Sequence, residues 1–226
     1  MPIGTIVNTV AVIVGSLLGL LLHENLPEKI KTIVFQALGL CTLVIGMQMA
    51  LKAQNLLVLI FSLLIGGIIG EFINLDGLVE RLSNFFKTKI KSKDEKFTEG
   101  LVTAFLIFCV GSMTIVGAIN EGLKADRTLL YTKSILDGFT SIALASTFGV
   151  GVLFSAIPLL IFQGGITLLA LQFQHFFSTA IIAQLTATGG VLILGIGFNM
   201  LDIKKIKVTN LLPALIVVAL LTLLIK

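Results

Sequence analysis

A chain of 226 residues that is 56% hydrophobic and only 12% charged, with a mean hydropathy of +1.08, lies far from the roughly 25% charged residues of soluble domains. This excludes a soluble globular domain and points to a single integral membrane domain over residues 1–226. The formal charge of +4 then bears on which loops face the cytoplasm, not on nucleic acid.

A hydrocarbon layer about 30 Å thick asks for roughly 20 apolar residues per helix. Residues 4–22 meet that requirement, with Asn8 as a polar group inside the run and Gly15 and Gly19 in a small-xxx-small pattern that admits a neighbouring helix. The run lacks the charged n-region and cleavage site of a signal peptide, so it reads as a retained span. A second span over 32–51 carries Gly39, Gly46 and Gln48, and a third over 56–73 carries Gly66, Gly67 and Gly70. The short link 52–55 makes these two antiparallel neighbours. Over 75–93 the pattern changes. Leu75, Leu78, Val79, Leu82, Phe86 and Ile90 recur at helical spacing among Arg81, Lys87, Lys89, Lys91 and Lys93, an amphipathic helix suited to an anionic bilayer surface.

The remaining spans fall at 99–118, 129–148, 150–171, 180–200 and 208–225. The sixth holds Pro158 and Gln163-Gly164-Gly165, where a kink or local unwinding is expected. Residues 174–179 read as an interfacial turn, and the seventh span contains Gly189 and Gly190. The fold class is therefore all-α, a polytopic transmembrane bundle of about eight spans, or seven if one is miscounted. Most Lys and Arg gather in alternate loops, around Lys29, over 81–96 and at Lys204, Lys205 and Lys207, which turns both termini outward under an eight-span count.

A weak internal repeat runs through the chain: a small-residue helix, a polar link, then a helix with a Gly-polar end. Under eight spans, the unit made of spans one to three and that made of spans six to eight cross in opposite directions. Such inverted repeats occur in many secondary transporters.

The stretch from Phe108 to Thr147 concentrates the candidate chemistry. Lys133 and Asp137 lie four apart on one helix face, with Ser141 a further turn along. Ser112, Thr114 and Asn120 can meet that face from the fourth helix, whose Gly111 marks a packing or unwound segment. Carboxylate, hydroxyl and amide oxygens together suit a small polar solute or an ion, and intramembrane charges mark such sites. The competing readings are a structural ion pair that holds two helices, and a Lys133 that snorkels to the interface instead of facing a cavity. The amides Asn8, Gln48, Gln163 and Asn199 read as interhelical hydrogen-bonding groups. Cys41 and Cys109 read as small core residues, and His23 and His175 as loop or interface residues. No metal-ligand spacing, cofactor motif, HExxH, GxSxG or Walker A pattern occurs, so neither a cofactor nor an enzyme is expected.

Phe108-Cys109-Val110-Gly111-Ser112-Met113-Thr114-Ile115-Val116-Gly117-Ala118 and Ile135-Leu136-Asp137-Gly138-Phe139 resemble a bacterial family of polytopic membrane proteins known as domain of unknown function 554. Gly4-Thr5-Ile6-Val7-Asn8 and Ala145-Ser146-Thr147-Phe148-Gly149 carry the same resemblance, which covers essentially the whole chain. It implies a prokaryotic inner or plasma membrane location and no particular substrate. The functional expectation is a transporter of a small solute or ion working by alternating access, with a site between the fourth and fifth spans. An oligomeric channel-like pore and a lipid-interacting scaffold are the alternatives. The expected partners are the bilayer, the solute and a second copy of the chain.

Overall fold

The computed structural model describes residues 2–25, 27–81, 96–173 and 178–224, and every regular element among them is α-helical. In chain order these are α1 (Ile3–Asn25), α2 (Glu28–Ala50), α3 (Leu56–Ile73), α4 (Phe97–Cys109), α5 (Ser112–Lys124), α6 (Thr128–Phe148), α7 (Gly151–Phe154), α8 (Ala156–Leu168), α9 (Ala170–Phe173), α10 (Thr179–Met200), α11 (Val208–Leu211) and α12 (Ala214–Leu224). Of the amphipathic stretch, residues 75–81 are helical; 82–93 lie outside the described residues, as do His175 and most of the interfacial turn.

Among the described residues, four helical stretches are long and apolar enough to cross a membrane: Ile3–Leu22, Leu56–Ile73, Gly151–Leu168 and Thr179–Met200. A fifth arises if α4 and α5 form one broken span, and Gln36–Ala50 and Val208–Leu224 are shorter apolar segments. An eight-span count needs α2, α6 and the α11–α12 pair as further crossings.

Two expectations are corrected. The fourth span is not continuous: α4 stops at Cys109, Gly111 is extended (φ −74°, ψ 148°), and the axes of Phe97–Cys109 and Met113–Lys124 differ by 55°. The Phe108 carbonyl, freed by the break, accepts from the Thr114 hydroxyl at 2.7 Å, so a side chain replaces the lost ladder bond. In the sixth span the helix is interrupted at Ser155 and again at Leu169, while α8 runs unbroken through Gln163-Gly164-Gly165. Pro158 sits in the first turn of α8, where its missing N–H has no intrahelical partner to lose.

The contacts divide the chain into two compact units, Met1–Phe35 with Lys91–Phe176 and Gln36–Ile90 with Phe177–Lys226. Each unit draws helices from both halves of the chain. In the first, α1 and α6 run parallel in intimate contact, because a Cβ at Gly15 would collide with Gly138 O and Ser141 Oγ, and one at Gly19 with Ile142 O. Small residues thus set this approach. α8 lies antiparallel to α1, with Asn8 opposite Gln163 and Thr5 opposite Thr167. Phe97, Phe108, Leu130, Leu144 and Phe148 fill the interior. Gly149 (φ 74°, ψ −150°) makes the turn from α6 into α7, a backbone conformation reserved for glycine.

In the second unit, α2 and α10 are antiparallel: Gly46 packs on Gly190, Gly39 on Leu201, and the Thr42 hydroxyl donates to Met200 Sδ at 3.7 Å. α3 crosses α11 and α12 where Gly66 meets Ala214 and Gly70 meets the Asn210 carbonyl. Asn199 closes the following loop, donating to Ile206 O at 2.8 Å and accepting from Ile206 N at 2.7 Å. Gln184 of α10 grips the α2–α3 link: its Oε1 accepts from Gln54 N (2.9 Å) and Asn55 N (3.4 Å), and its Nε2 donates to Asn55 O (2.8 Å). Gln184→Leu removes all three bonds to the exposed Gln54 and Asn55, whose backbone groups fall back on water, at a net cost of about 0.5–1.5 kcal/mol per bond. The Gln54 and Asn55 amides should then exchange with deuterium at least about tenfold faster; unchanged exchange would show that the link holds itself. Of the two cysteines, Cys109 is buried as expected, whereas Cys41 is exposed on the apolar surface of α2.

Candidate functional site

Helical spacing on α6 puts Leu130, Lys133, Ser134, Asp137, Ser141 and Leu144 on one buried stripe. On α1 the stripe facing it holds Thr5, Asn8, Thr9 and Val12, and on α8 it holds Gln163 and Thr167. Lys133 turns inward and ion-pairs with Asp137 Oδ2, its Nζ 5.8 Å from the centroid of the Phe108 ring, within range of a cation–π contact. Asn8 Nδ2 donates to the same Asp137 oxygen at 3.0 Å and to Gln163 Oε1 at 3.1 Å. Gln163 Nε2 donates to Thr5 Oγ1 at 3.2 Å, and Thr5 Oγ1 lies 3.4 Å from Thr167 Oγ1. Three helices thereby share one polar core; each amide and charge lowers the burial cost of the next.

The orientation of Asn8 follows from its neighbours. Both groups facing Nδ2 are acceptors, so the amide nitrogen must stand there, and Asn8 Oδ1 is left buried without a hydrogen-bond partner among the described residues. One turn earlier on the same face of α1, Gly4 N donates to Glu121 Oε1 at 2.6 Å. The carboxylate thereby satisfies an N–H at the start of α1 and lies at the positive end of its dipole. Arg127 Nε reaches the same oxygen at 3.1 Å. Glu121 Oε2 is buried with no hydrogen-bond partner among the described residues. Gly4 permits this approach, since a Cβ there would stand 2.9 Å from Leu130 Cβ and 3.3 Å from Glu121 Oε1.

The structure brings Asp137 and Lys133 to the centre of the polar core. It places Ser141 beside Gly15, its hydroxyl donating to Gly138 O at 2.8 Å. Thr114 is turned to its own break at Phe108, no described hydrogen bond joins Asn120 to the core, and Ser112 opens α5 beside Gly111. The companions of Asp137 come from the first and sixth predicted spans, not from the fourth. Thr5 with Asn8, and Gln163 with Thr167, are spaced three and four apart, a polar stripe within an apolar helix that signals a shared face. Glu121 carries no such signal, because its partner, the start of α1, is remote in sequence.

Outside the helices, the Thr128 N–H, 3.0 Å from Asp126 Oδ1, holds Asp126 below the usual carboxylate range. Its contribution to folding is lost only as pH falls through that lowered value. Glu71 receives Lys207 Nζ at 2.7 Å and Asn210 Nδ2 at 2.6 Å, and the bond raises the Lys207 ammonium above its ordinary value. Its share of stability is present below the ordinary lysine value and fades as pH rises through the raised one. Glu71, Lys207 and Asn210 line a cleft of about 420 Å³ with Leu63, Leu64 and Ile68.

The sequence matches the model of a family described as "Protein of unknown function (DUF554)" over residues 3–223. It is 38% identical over 218 residues to "Uncharacterized membrane protein YdfK" of Bacillus subtilis (strain 168), covering 95% of this chain and 93% of that protein. It is 35% identical over 221 residues to "Uncharacterized protein YqgA" of Escherichia coli (strain K12), covering 96% and 94%. No solved structure gives a significant match. With apolar helices of spanning length and relatives aligned nearly end to end, this is a membrane protein, and the chain belongs to the DUF554 family.

Proposed function

We propose that the protein transports a small polar solute or ion across the bacterial cell membrane by alternating access, with Asp137 at the site. The observation that carries this reading is the buried polar core of α1, α6 and α8, in which Asp137 is held by Lys133 and Asn8 while Asn8 Oδ1 has no partner among the described residues. Charges inside a membrane bundle are costly, and function is the usual reason for keeping them. Asp137 Oδ1 takes neither of the two described bonds, so the carboxylate keeps an acceptor for a passing solute.

Flux in sealed proteoliposomes tests the proposal. Saturable counterflow of a labelled solute is expected from the native chain, and Asp137→Asn is expected to abolish it while the protein still inserts and assembles. Single-channel currents in place of counterflow would make it a pore. A second reading, a purely structural ion pair, draws on the mutual satisfaction of Lys133 and Asp137. Flux unchanged in Asp137→Asn would decide for it.

A further inference from the structure

Among the described residues three buried side-chain atoms on the α1 face lack a partner: the Ser16 hydroxyl, about two turns beyond Asn8, which can donate as well as accept, and two oxygens that can only accept, Asn8 Oδ1 and Glu121 Oε2. Asn8 Oδ1 belongs to an amide whose two N–H groups are already taken, and Glu121 Oε2 to a carboxylate whose other oxygen already holds Gly4 N and Arg127. Gly4 and Asn8 are one helical turn apart, so the two oxygens belong to successive levels of one stripe. Glu121 stands at the level where α1 begins and where Arg127, 31% exposed at its side chain, reaches the surface of the unit. Asp137, Lys133 and Gln163 lie a level deeper.

The charges facing this stripe are Glu121 and Arg127 from α5 and the link to α6, and Lys133 and Asp137 from α6; α1 and α8 contribute neutral Thr5, Asn8, Gln163 and Thr167. Two cations balance two anions, and both cations are committed to an oxygen that is not one of the bare ones. What the stripe lacks is positive charge at Asn8 Oδ1 and Glu121 Oε2. An anion brought there would meet only lone pairs. A sugar-like solute would bring as many acceptors as donors. A small cation satisfies bare oxygens directly, either as a metal ion or through ammonium N–H groups.

From this we infer that the solute is a small monovalent cation, which enters at the N-terminal end of α1, is received first by Glu121 Oε2 and then passes to Asn8 Oδ1 beside Asp137. The inference rests on the transport reading above and names its substrate class. Glu121 is a binding residue in this scheme, and Arg127 tunes it by withdrawing part of its charge.

Thermal unfolding of the purified full chain in detergent tests the site apart from flux. The chlorides of sodium, potassium and ammonium are compared with choline chloride at equal ionic strength, and sodium chloride with sodium gluconate. At least one small cation should raise the unfolding temperature in a saturable way, with no dependence on the anion. Glu121→Gln keeps a carbonyl for Gly4 N and Arg127 but sets an NH2 where Oε2 stood. It should weaken the cation about tenfold to a hundredfold, the loss of one charge-assisted contact. Arg127→Gln, on a half-exposed residue, should move affinity the other way, and so covers the case in which Glu121→Gln does not fold. Equal unfolding temperatures in all four cations, or a cation effect untouched by both variants, would overturn the inference. Labelled-ion uptake separates the two proposals. A cation effect without any flux leaves the site and removes transport, whereas flux of anions or neutral solutes leaves transport and removes the cation.

Discussion

Lys133→Met on its own is expected to destabilise the protein by about 3–5 kcal/mol, because it leaves the Asp137 carboxylate buried without its counter-ion. Lys133 and Asp137 have side chains only 5% and 9% exposed, so neither water nor salt can stand in for the lost partner. Among the described residues Asn8 alone would then answer the charge, with a single N–H. Adding Asp137→Leu to the first change removes the stranded carboxylate and should recover most of the loss, since replacing both partners of a buried pair by apolar groups is often close to neutral. Denaturation of the two single variants and the double variant measures this as a coupling energy. Singles that each cost less than about 1 kcal/mol, the range of surface pairs, would mean that the charges are hydrated. Flux in the double variant adds a second readout: a stable but inactive protein assigns the pair to transport, and a stable, active one assigns it to the scaffold.

Gly15→Leu is expected to cost at least about 1–3 kcal/mol by overpacking and to separate α1 from α6. Its Cβ would meet the Gly138 carbonyl and the Ser141 hydroxyl, and a backbone carbonyl within a helix cannot swing aside as a side-chain tip can. Gly111 and Gly165 supply the contrast, because a Cβ at either meets nothing within 4 Å and neither has a positive φ. Gly165→Ala, inside α8, should gain up to about 1 kcal/mol from helix propensity, and Gly111→Ala should be close to neutral. Thermal unfolding of the three variants side by side checks the ordering. A Gly15→Leu protein as stable as the native chain would show that the α1–α6 contact is not a tight one.

The helical class, the apolar segments and the pairing of Lys133 with Asp137 were legible because each is a short-range pattern: a run of apolar residues, or a spacing of four on one face. The break at Gly111 was half legible. Glycine permits an extended residue there, but what stabilises the break is the Thr114 hydroxyl on the Phe108 carbonyl, a contact between residues whose spacing changes once the helix is broken. The companions of Asp137 were not legible as a set. Asn8 and Gln163 each stand out as amides within apolar runs, yet 129 and 155 residues separate the partners of the Asn8 bonds, and no local pattern chooses one distant helix over another. Glu121 was hidden by its position beside Gly122 at a helix end, where a carboxylate normally meets water.

The parallel pairing of α1 with α6 also sets an order for biogenesis. α1 ends at Asn25 and α6 begins at Thr128, so roughly a hundred residues emerge from the ribosome before the mate of α1 exists. At ~5–20 residues per second, that leaves α1 waiting on the order of 5–20 s. During that interval the Asn8 amide and the notches at Gly15 and Gly19 face whatever first adjoins them, lipid or the insertion machinery. The nascent first helix is therefore a client for any membrane chaperone that shelters polar groups.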